Sequence, residues 1–201
     1  MLIGLGLGPG NPELLTLRAV RLLREADTVF VPGRIAFNLV APYRDAVILK
    51  FPMTDDESLI RECLLENAEK IAPAAQNGLA VFGILGDPNF FSTFSRLCSI
   101  LAEKYPTIEY QTEPGISSIT AFAAAAGISL NGGFTVSDGP EPDSRILLKV
   151  KHPRKKADEL RREGYREFVL VERMYFADMK VYCNDELPEK SDYLSVMYAR
   201  R

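Results

Sequence analysis

The chain of 201 residues is 47% hydrophobic and 25% charged, a composition that excludes disorder, collagen-like repetition and fibrous assembly. Its 24 Lys and Arg against 27 Asp and Glu leave a formal charge of -3, so no overall positive field recruits nucleic acid or an anionic membrane. The length lies between one large domain and two small ones.

In chain order, LIGLGL (2–7) reads as a strand that GPGNP stops, with Asn11 placed to cap a short turn and Thr16 to cap a helix. That helix carries Leu17, Val20, Leu23 and Ala26 as its apolar stripe. TVFVP (28–32), AVILKF (46–51) and LAVFGI (79–84) are uniformly apolar, as buried parallel strands are. Between them Glu57 to Asn77 has helical spacing with Gly78 as its stop, and Pro73 is expected to kink or shorten it. A further helix is expected from about Phe91 to Tyr105, completing an α/β domain with a parallel sheet over residues 1–112. After a hinge at Glu113–Gly115, an Ala-rich helix runs from Ser117 to Ala126. The stretch 131–144 reads as a loop or a broken strand around Phe134, Thr135 and Val136. RILLKV (145–150), a basic helix from Pro153 to Arg162, FVLVE (168–172), a segment near Met179 to Tyr182 and YLSVMYA (193–199) follow. They predict a second α/β domain over 113–201 with a mixed sheet.

No apolar run approaches the roughly 20 residues of a membrane span. The opening residues have neither the basic region nor the cleavage site of a secretory signal, so a cytoplasmic protein is expected. Cys63, Cys98 and Cys183 are never paired as C-x-x-C, and each is expected to be a reduced, buried small residue. With His152 the only histidine, no protein-bound metal is expected.

Four motifs carry chemistry. GLGLGPG (4–10) follows the first strand as a dinucleotide loop would, but Pro9 removes a backbone donor that such a phosphate nest needs and no P-loop lysine is present. It is either a plain chain reversal or a surface where a flat or adenosine-bearing ligand meets backbone. GDPNFFSTF (86–94) follows an apolar strand at the end where open α/β sheets bind ligands. There Asp87 either caps a turn or accepts hydrogen bonds from ribose or an amino group, and Phe90, Phe91 and Phe94 are core or pocket wall. In EPGISSITAFAAAAG (113–127), Ser117 or Ser118 caps a helix. KVKHPRKK (149–156) is a solvated helix face or a receiver of substrate carboxylates, and Glu172-Arg173 at the end of FVLVE is an ion pair or part of a cleft.

Together these motifs resemble the tetrapyrrole (corrin/porphyrin) methyltransferase family. GLGPGNPELLTLRAVRLLREADTVFVP (6–32), GDPNFFSTF, 113–130 and YLSVMYA stand in that family's order over nearly the whole chain. Within it, ELLTLRAVRLLREADTVFVP, FPMT (51–54) and the GDP-x-x-[YF]-STF pattern are most similar to the branch that methylates C-20 of precorrin-2 or cobalt-factor II in cobalamin biosynthesis. The resemblance implies two α/β domains with a cofactor cleft between them, a homodimer, and S-adenosyl-L-methionine as methyl donor. It implies cofactor contacts at Pro9, Leu85, Gly86, Asp87, Phe90, Ser117, Ser118, Val150, Arg173 and Met174. Arg34, Phe91, Ser92, Thr93, Lys149 and Lys151 are the candidates for the tetrapyrrole substrate. The chain departs from the family with Asn11 in place of Asp, Leu85 in place of Gly and Phe91 in place of Tyr.

The implied chemistry is an in-line displacement in which a meso carbon of the substrate attacks the donor's methyl group, so no catalytic nucleophile is needed. Asp87 and Glu172 are the candidate bases for the meso proton. The competing readings are transfer to another ring carbon, a nucleotide-dependent oxidoreductase that Pro9 argues against, and a binder without turnover.

Overall fold

Apolar, glycine-interrupted runs with β-branched residues pair side by side because their backbones need partners and both of their faces need cover. The computed structural model describes residues 1–136 and 142–201, which separate into two compact units, Met1–Gly133 and Phe134–Arg201. The segment 113–133, expected with the second domain, is thereby grouped with the first.

In the first unit, β1 (Leu2–Gly6), β2 (Thr28–Val31), β3 (Ala46–Ile48), β4 (Ala80–Ile84) and β5 (Tyr110–Glu113) form a wholly parallel sheet in the order β3-β2-β4-β1-β5. The crossovers are α1 (Leu17–Glu25), α2 (Arg34–Val40), α3 (Glu57–Asn77) and α4 (Phe94–Lys104), and α5 (Ser118–Ala126) follows β5. One core joins Ile3, Leu5, Val29 and Val81 to Leu22 and Leu23 of α1 and Leu39 and Val40 of α2. The other joins Leu2, Phe30 and Phe82 to Leu64 and Ile71 of α3 and Leu97 and Leu101 of α4. Alternate strand residues therefore serve opposite faces, as the two-residue period requires. β1 and β4 are neighbours whose chains leave toward helices on opposite faces, so their carboxyl ends part at the switch point of the sheet.

Thr16 caps α1 by accepting from Ala19 N at 3.0 Å, and Asn11 caps the preceding short turn through Glu13 N at 3.0 Å. The buried stripe of α1 is Ala19, Leu22 and Leu23, while Leu17 is 93% exposed because it sits in the first turn, off the sheet-facing side. α3 is neither shortened nor interrupted at Pro73, which lies on its solvent-exposed side. The helix expected from Phe91 starts at Phe94, since Gly86–Thr93 is taken up by turns. α2, which begins after Pro32 and Gly33, has no counterpart among the predicted elements.

In the second unit, β6 (Ser144–Leu148), β7 (Glu167–Glu172), β8 (Lys180–Cys183) and β9 (Ser195–Arg200) lie in the order β6-β9-β7-β8, with α6 (Pro153–Arg162) between β6 and β7. All three described pairings are antiparallel, which corrects the expected mixed sheet. The helical crossover does leave β6 and β7 running in the same direction, but β9 inserts between them. Phe168, Leu170, Met197 and Ala199 form this core with Ala157 and Leu160 of α6. Residues 131–136 carry no regular structure, so the strand weighed around Phe134 is absent there, and 137–141 of that stretch lie outside the described residues. Only Cys98 is buried as expected; Cys63 is half-buried and Cys183 is exposed, on the edge strand β8.

Candidate functional site

Three loops leave the carboxyl ends of β1, β4 and β5 side by side, and glycine lets them touch backbone to backbone. Gly8 N–H donates to Gly86 O at 3.2 Å and Gly86 N–H donates to Gly8 O at 2.7 Å, with both residues in the left-handed region at φ 71° and 72°. A Cβ on Gly6 would stand 2.3 Å from Gly115 N, and one on Gly115 would stand 2.3 Å from Gly86 O. Asp87, 7% exposed, closes the junction: Oδ1 accepts from Asn89 N at 2.9 Å and Oδ2 accepts from Gly115 N at 3.2 Å. Asn89 Nδ2 adds a bond to Thr112 Oγ1 at 3.1 Å, and Arg18 of α1 pairs with the buried Glu113 at 2.5 Å.

The structure thus brings Pro9, Leu85, Gly86, Asp87, Phe90, Ser117 and Ser118 to one edge of one sheet. Pro9 and Ser118 are exposed, as are Leu85 and Phe90, two large apolar side chains left toward solvent beside the junction. Ser117, rather than Ser118, caps α5 by accepting from Ile119 N at 3.3 Å. Phe91 is 62% exposed and held at φ 49°, a conformation that is strained for an aromatic residue. Ser92 accepts from Phe94 N at 3.0 Å, Thr93 makes no side-chain cap, and Phe94 is core, stacked on Phe82. Arg34 is exposed in the first turn of α2, with its guanidinium 5.5 Å from the Phe37 ring. Sequence reasoning missed a groove of about 550 Å³ at the ends of β2 and β3, lined by Pro32, Lys50, Phe51 and Cys63 among others. There Cys63 Sγ donates to Lys50 O at 2.9 Å. The signal was the Pro-terminated apolar runs, each of which ends on this edge.

The second unit has an apolar pocket of about 270 Å³ lined by Leu148, Lys149, Met174, Phe176, Tyr193 and Leu194, with Ser195 and Val196 below them in β9. Lys149, Arg173 and Tyr175, at or beside this rim, adopt φ of 56°, 49° and 64°. Each such residue costs on the order of 1–3 kcal/mol, and clustered strain of this kind accompanies ligand sites. Glu172 and Arg173 do not pair with each other. Glu172, 8% exposed, accepts from Asp192 N at 3.1 Å, whereas Arg173 Nε meets Asp178 at 2.7 Å and its guanidinium lies 4.9 Å from the Phe176 ring. Hydrogen bonding to Arg173 holds the Asp178 carboxyl below its ordinary value. Val150 is buried and its carbonyl accepts from Ser195 Oγ at 3.1 Å. Lys149 and Lys151 are exposed on either side of it. Tyr193 and Leu194, read from the sequence as the start of the closing strand, instead precede β9 and line this pocket.

Among the described residues no group of three His, Cys, Asp or Glu side chains is placed to hold a metal ion, and no helix is long and apolar enough to cross a membrane. The family profile described as Tetrapyrrole (Corrin/Porphyrin) Methylases matches residues 1–161. A protein of Methanocaldococcus jannaschii named probable cobalt-precorrin-2 C(20)-methyltransferase is 32% identical over 222 residues, covering 98% of this chain and 95% of that protein. A Sinorhizobium protein named precorrin-2 C(20)-methyltransferase is 32% identical over 154 residues, which cover 67% of this chain and 61% of its own length. Among solved structures, the methyltransferase CobJ superposes with a TM-score of 0.51 at 22% identity over 100% of this chain and 93% of that one. Uroporphyrin-III C-methyltransferase of Thermus thermophilus gives 0.51 at 23% identity over 99% and 91%. These two share the fold.

Proposed function

The chain belongs to the tetrapyrrole (corrin/porphyrin) methylase family, and on that premise we propose that it transfers a methyl group from S-adenosyl-L-methionine to C-20 of precorrin-2 or cobalt-factor II in cobalamin biosynthesis. The observation that carries this reading is the end-to-end similarity to the archaeal C(20)-methyltransferase, 32% identical across 98% of the chain. In this reading the enzyme works in the cytoplasm, and it is a homodimer as the family resemblance implies.

The residues fit the donor. Glycine packs the three loops backbone to backbone, a Cβ on Gly6 or Gly115 meeting neighbouring backbone at 2.3 Å, and the exposed Leu85 and Phe90 beside that junction offer apolar surface to an adenosine. Pro9, Leu85, Gly86, Asp87, Phe90, Ser117, Ser118, Val150, Arg173 and Met174 are the donor contacts in this reading, as the family resemblance implies. Arg173 contributes chiefly backbone, because its guanidinium is held by Asp178. Arg34, Lys149 and Lys151 receive substrate carboxylates, which an ammonium or guanidinium binds by charge-assisted hydrogen bonds. Phe91, with Ser92 and Thr93, forms a wall against the macrocycle.

When bound, S-adenosyl-L-methionine supplies an electrophilic methyl group: C-20 bonds to it as the sulfur–methyl bond breaks onto sulfur, and the C-20 proton leaves. The chain's own task is orientation, which supplies roughly 7–11 kcal/mol of such a barrier. Asp87 and Glu172 are anchors in this scheme, because Asp87 accepts two backbone N–H groups and Glu172 accepts one, and the proton passes to water.

The test is an anaerobic incubation with S-adenosyl-L-methionine and, separately, precorrin-2 and cobalt-factor II, read by mass spectrometry and by NMR of the labelled methyl. One methyl at C-20 is expected, and the preferred substrate assigns the metal-free or cobalt branch. Methylation elsewhere on the ring overturns the position, and donor binding without transfer to either substrate overturns the enzyme reading.

A further inference from the structure

The strap Ser191–Ser195 is fastened at both ends to the segments that flank the second unit's pocket. Ser191 N–H donates to Lys151 O at 3.1 Å, Asp192 N–H to the buried Glu172 at 3.1 Å, and Arg173 N–H to Leu194 O at 2.8 Å. Asp192 Oδ1 in turn accepts from Leu194 N at 2.7 Å. Tyr193 is therefore presented on a tight turn whose backbone has few ways to move, although its ring is 58% exposed.

Lys149 faces it. Its backbone is locked at φ 56° by a bond from its N–H to Ser195 O at 2.8 Å, and its ammonium lies 5.2 Å from the centre of the Tyr193 ring, within cation–π range. Tyr193, by hydrogen bonding and charge, is also what raises the Lys149 pKa above the ordinary lysine value, and no carboxylate of the described residues does so. A lysine tip normally samples many rotamers on its four-carbon stem. Here one aromatic face collects it at the pocket rim, with donors still open to solvent and no carboxylate of the described residues paired with it.

We propose that Tyr193 is a positioning residue for methyl transfer: it holds the Lys149 ammonium at the rim of the pocket, where that ammonium receives a carboxylate of the tetrapyrrole and so sets the seat of the macrocycle. The inference rests on the tetrapyrrole reading above. It assigns Tyr193 to the substrate and not to the methyl donor.

The experiment is a double-mutant cycle on the full chain with Lys149→Ala, Tyr193→Leu and their combination, plus Tyr193→Phe, measured as kcat and KM for each of the two substrates. Tyr193→Leu is expected to raise KM for the tetrapyrrole about tenfold and to leave KM for S-adenosyl-L-methionine within about twofold. Tyr193→Phe, which keeps the ring face but lacks the hydroxyl, recovers part of that loss. The double variant is no worse than Lys149→Ala alone, because Tyr193 acts only through Lys149. Additive losses, a rise confined to the donor's KM, or a Lys149→Ala variant with unchanged KM each overturn the proposal. A second readout needs no turnover. The Lys149 side-chain methylene signal, assigned by its loss in Lys149→Arg, is shifted upfield by the ring and returns to its ordinary position in Tyr193→Leu. If that shift is seen but no tetrapyrrole is methylated, the functional reading fails while the contact stands; if the shift is absent, the contact itself is overturned.

Discussion

Asp87 Oδ2 accepts the backbone N–H of Gly115 at 3.2 Å, and this one bond ties the loop leaving β4 to the loop leaving β5 across the intervening β1. With Oδ1 on Asn89 N, the side chain is an anchor for two backbone donors at the edge of the sheet. Asp87→Ala leaves both without an acceptor and is expected to cost about 1–3 kcal/mol of stability in urea unfolding. Calorimetric titration with S-adenosyl-L-methionine should show affinity falling at least tenfold. Asp87→Asn, which keeps an amide oxygen as acceptor, should lose less on both measures; an Asn variant as damaged as Ala would assign the role to charge.

The glycine junction makes a steric prediction. Gly115→Ala places a methyl 2.3 Å from Gly86 O, against backbone that cannot rotate away, so the loops must spread at a cost of about 1–3 kcal/mol and donor binding should be lost. Gly33→Ala is the control. Gly33 has extended backbone and nothing within 4 Å of its Cβ position, so thermal unfolding should shift by no more than about 0.5 kcal/mol.

Glu172 separates anchor from base. Glu172→Gln keeps the oxygen that accepts from Asp192 N but cannot take a proton, so methyl transfer should stay within a fewfold of the parent. Glu172→Ala frees the strap and should lower activity more than tenfold. Loss of activity in the Gln variant comparable to the Ala variant would return Glu172 to the catalytic machinery.

Burial pushes the Cys98 thiol from the ordinary 9.0 up to about 12. Thiolate is the reactive form, so in native protein iodoacetamide should modify exposed Cys183 first and reach Cys98 only on unfolding, as mass spectrometry of the peptides would show. The folded state holds this proton more tightly than the unfolded chain. The resulting contribution to stability is complete below pH 9 and is lost as pH rises from about 9 through about 12. Cys98→Ala should flatten that alkaline decline in a pH series of unfolding midpoints, at a fixed cost for the small cavity.

Much of the site was legible in local chemistry. Thr16, Asn11 and Ser117 cap where short polar side chains before helical spacing cap, and the uniformly apolar runs form a parallel sheet, buried in β4 and almost wholly in β2 but exposed at Val47 and Ile48 of β3, which lies at the sheet edge. Where reading failed, a partner distant in sequence had intervened. β9 enters between β6 and β7 and turns an expected mixed sheet antiparallel. Glu172 binds Asp192 rather than its neighbour Arg173, which lies beyond the end of β7 at φ 49° with its guanidinium on Asp178.

The sequence by itself determined the family, the alternation of strands and helices in the first unit, and the edge of the sheet on which the glycine and Asp-Pro loops would gather, since propensity, capping and period act over a few residues. Only tertiary structure decided that Asp87 spends both oxygens on backbone, that Gly6, Gly86 and Gly115 meet, and that Tyr193 stands over Lys149. Each of these joins residues brought together by strand order and by the strap before β9, and pairing across such distances leaves no periodic mark in a single chain.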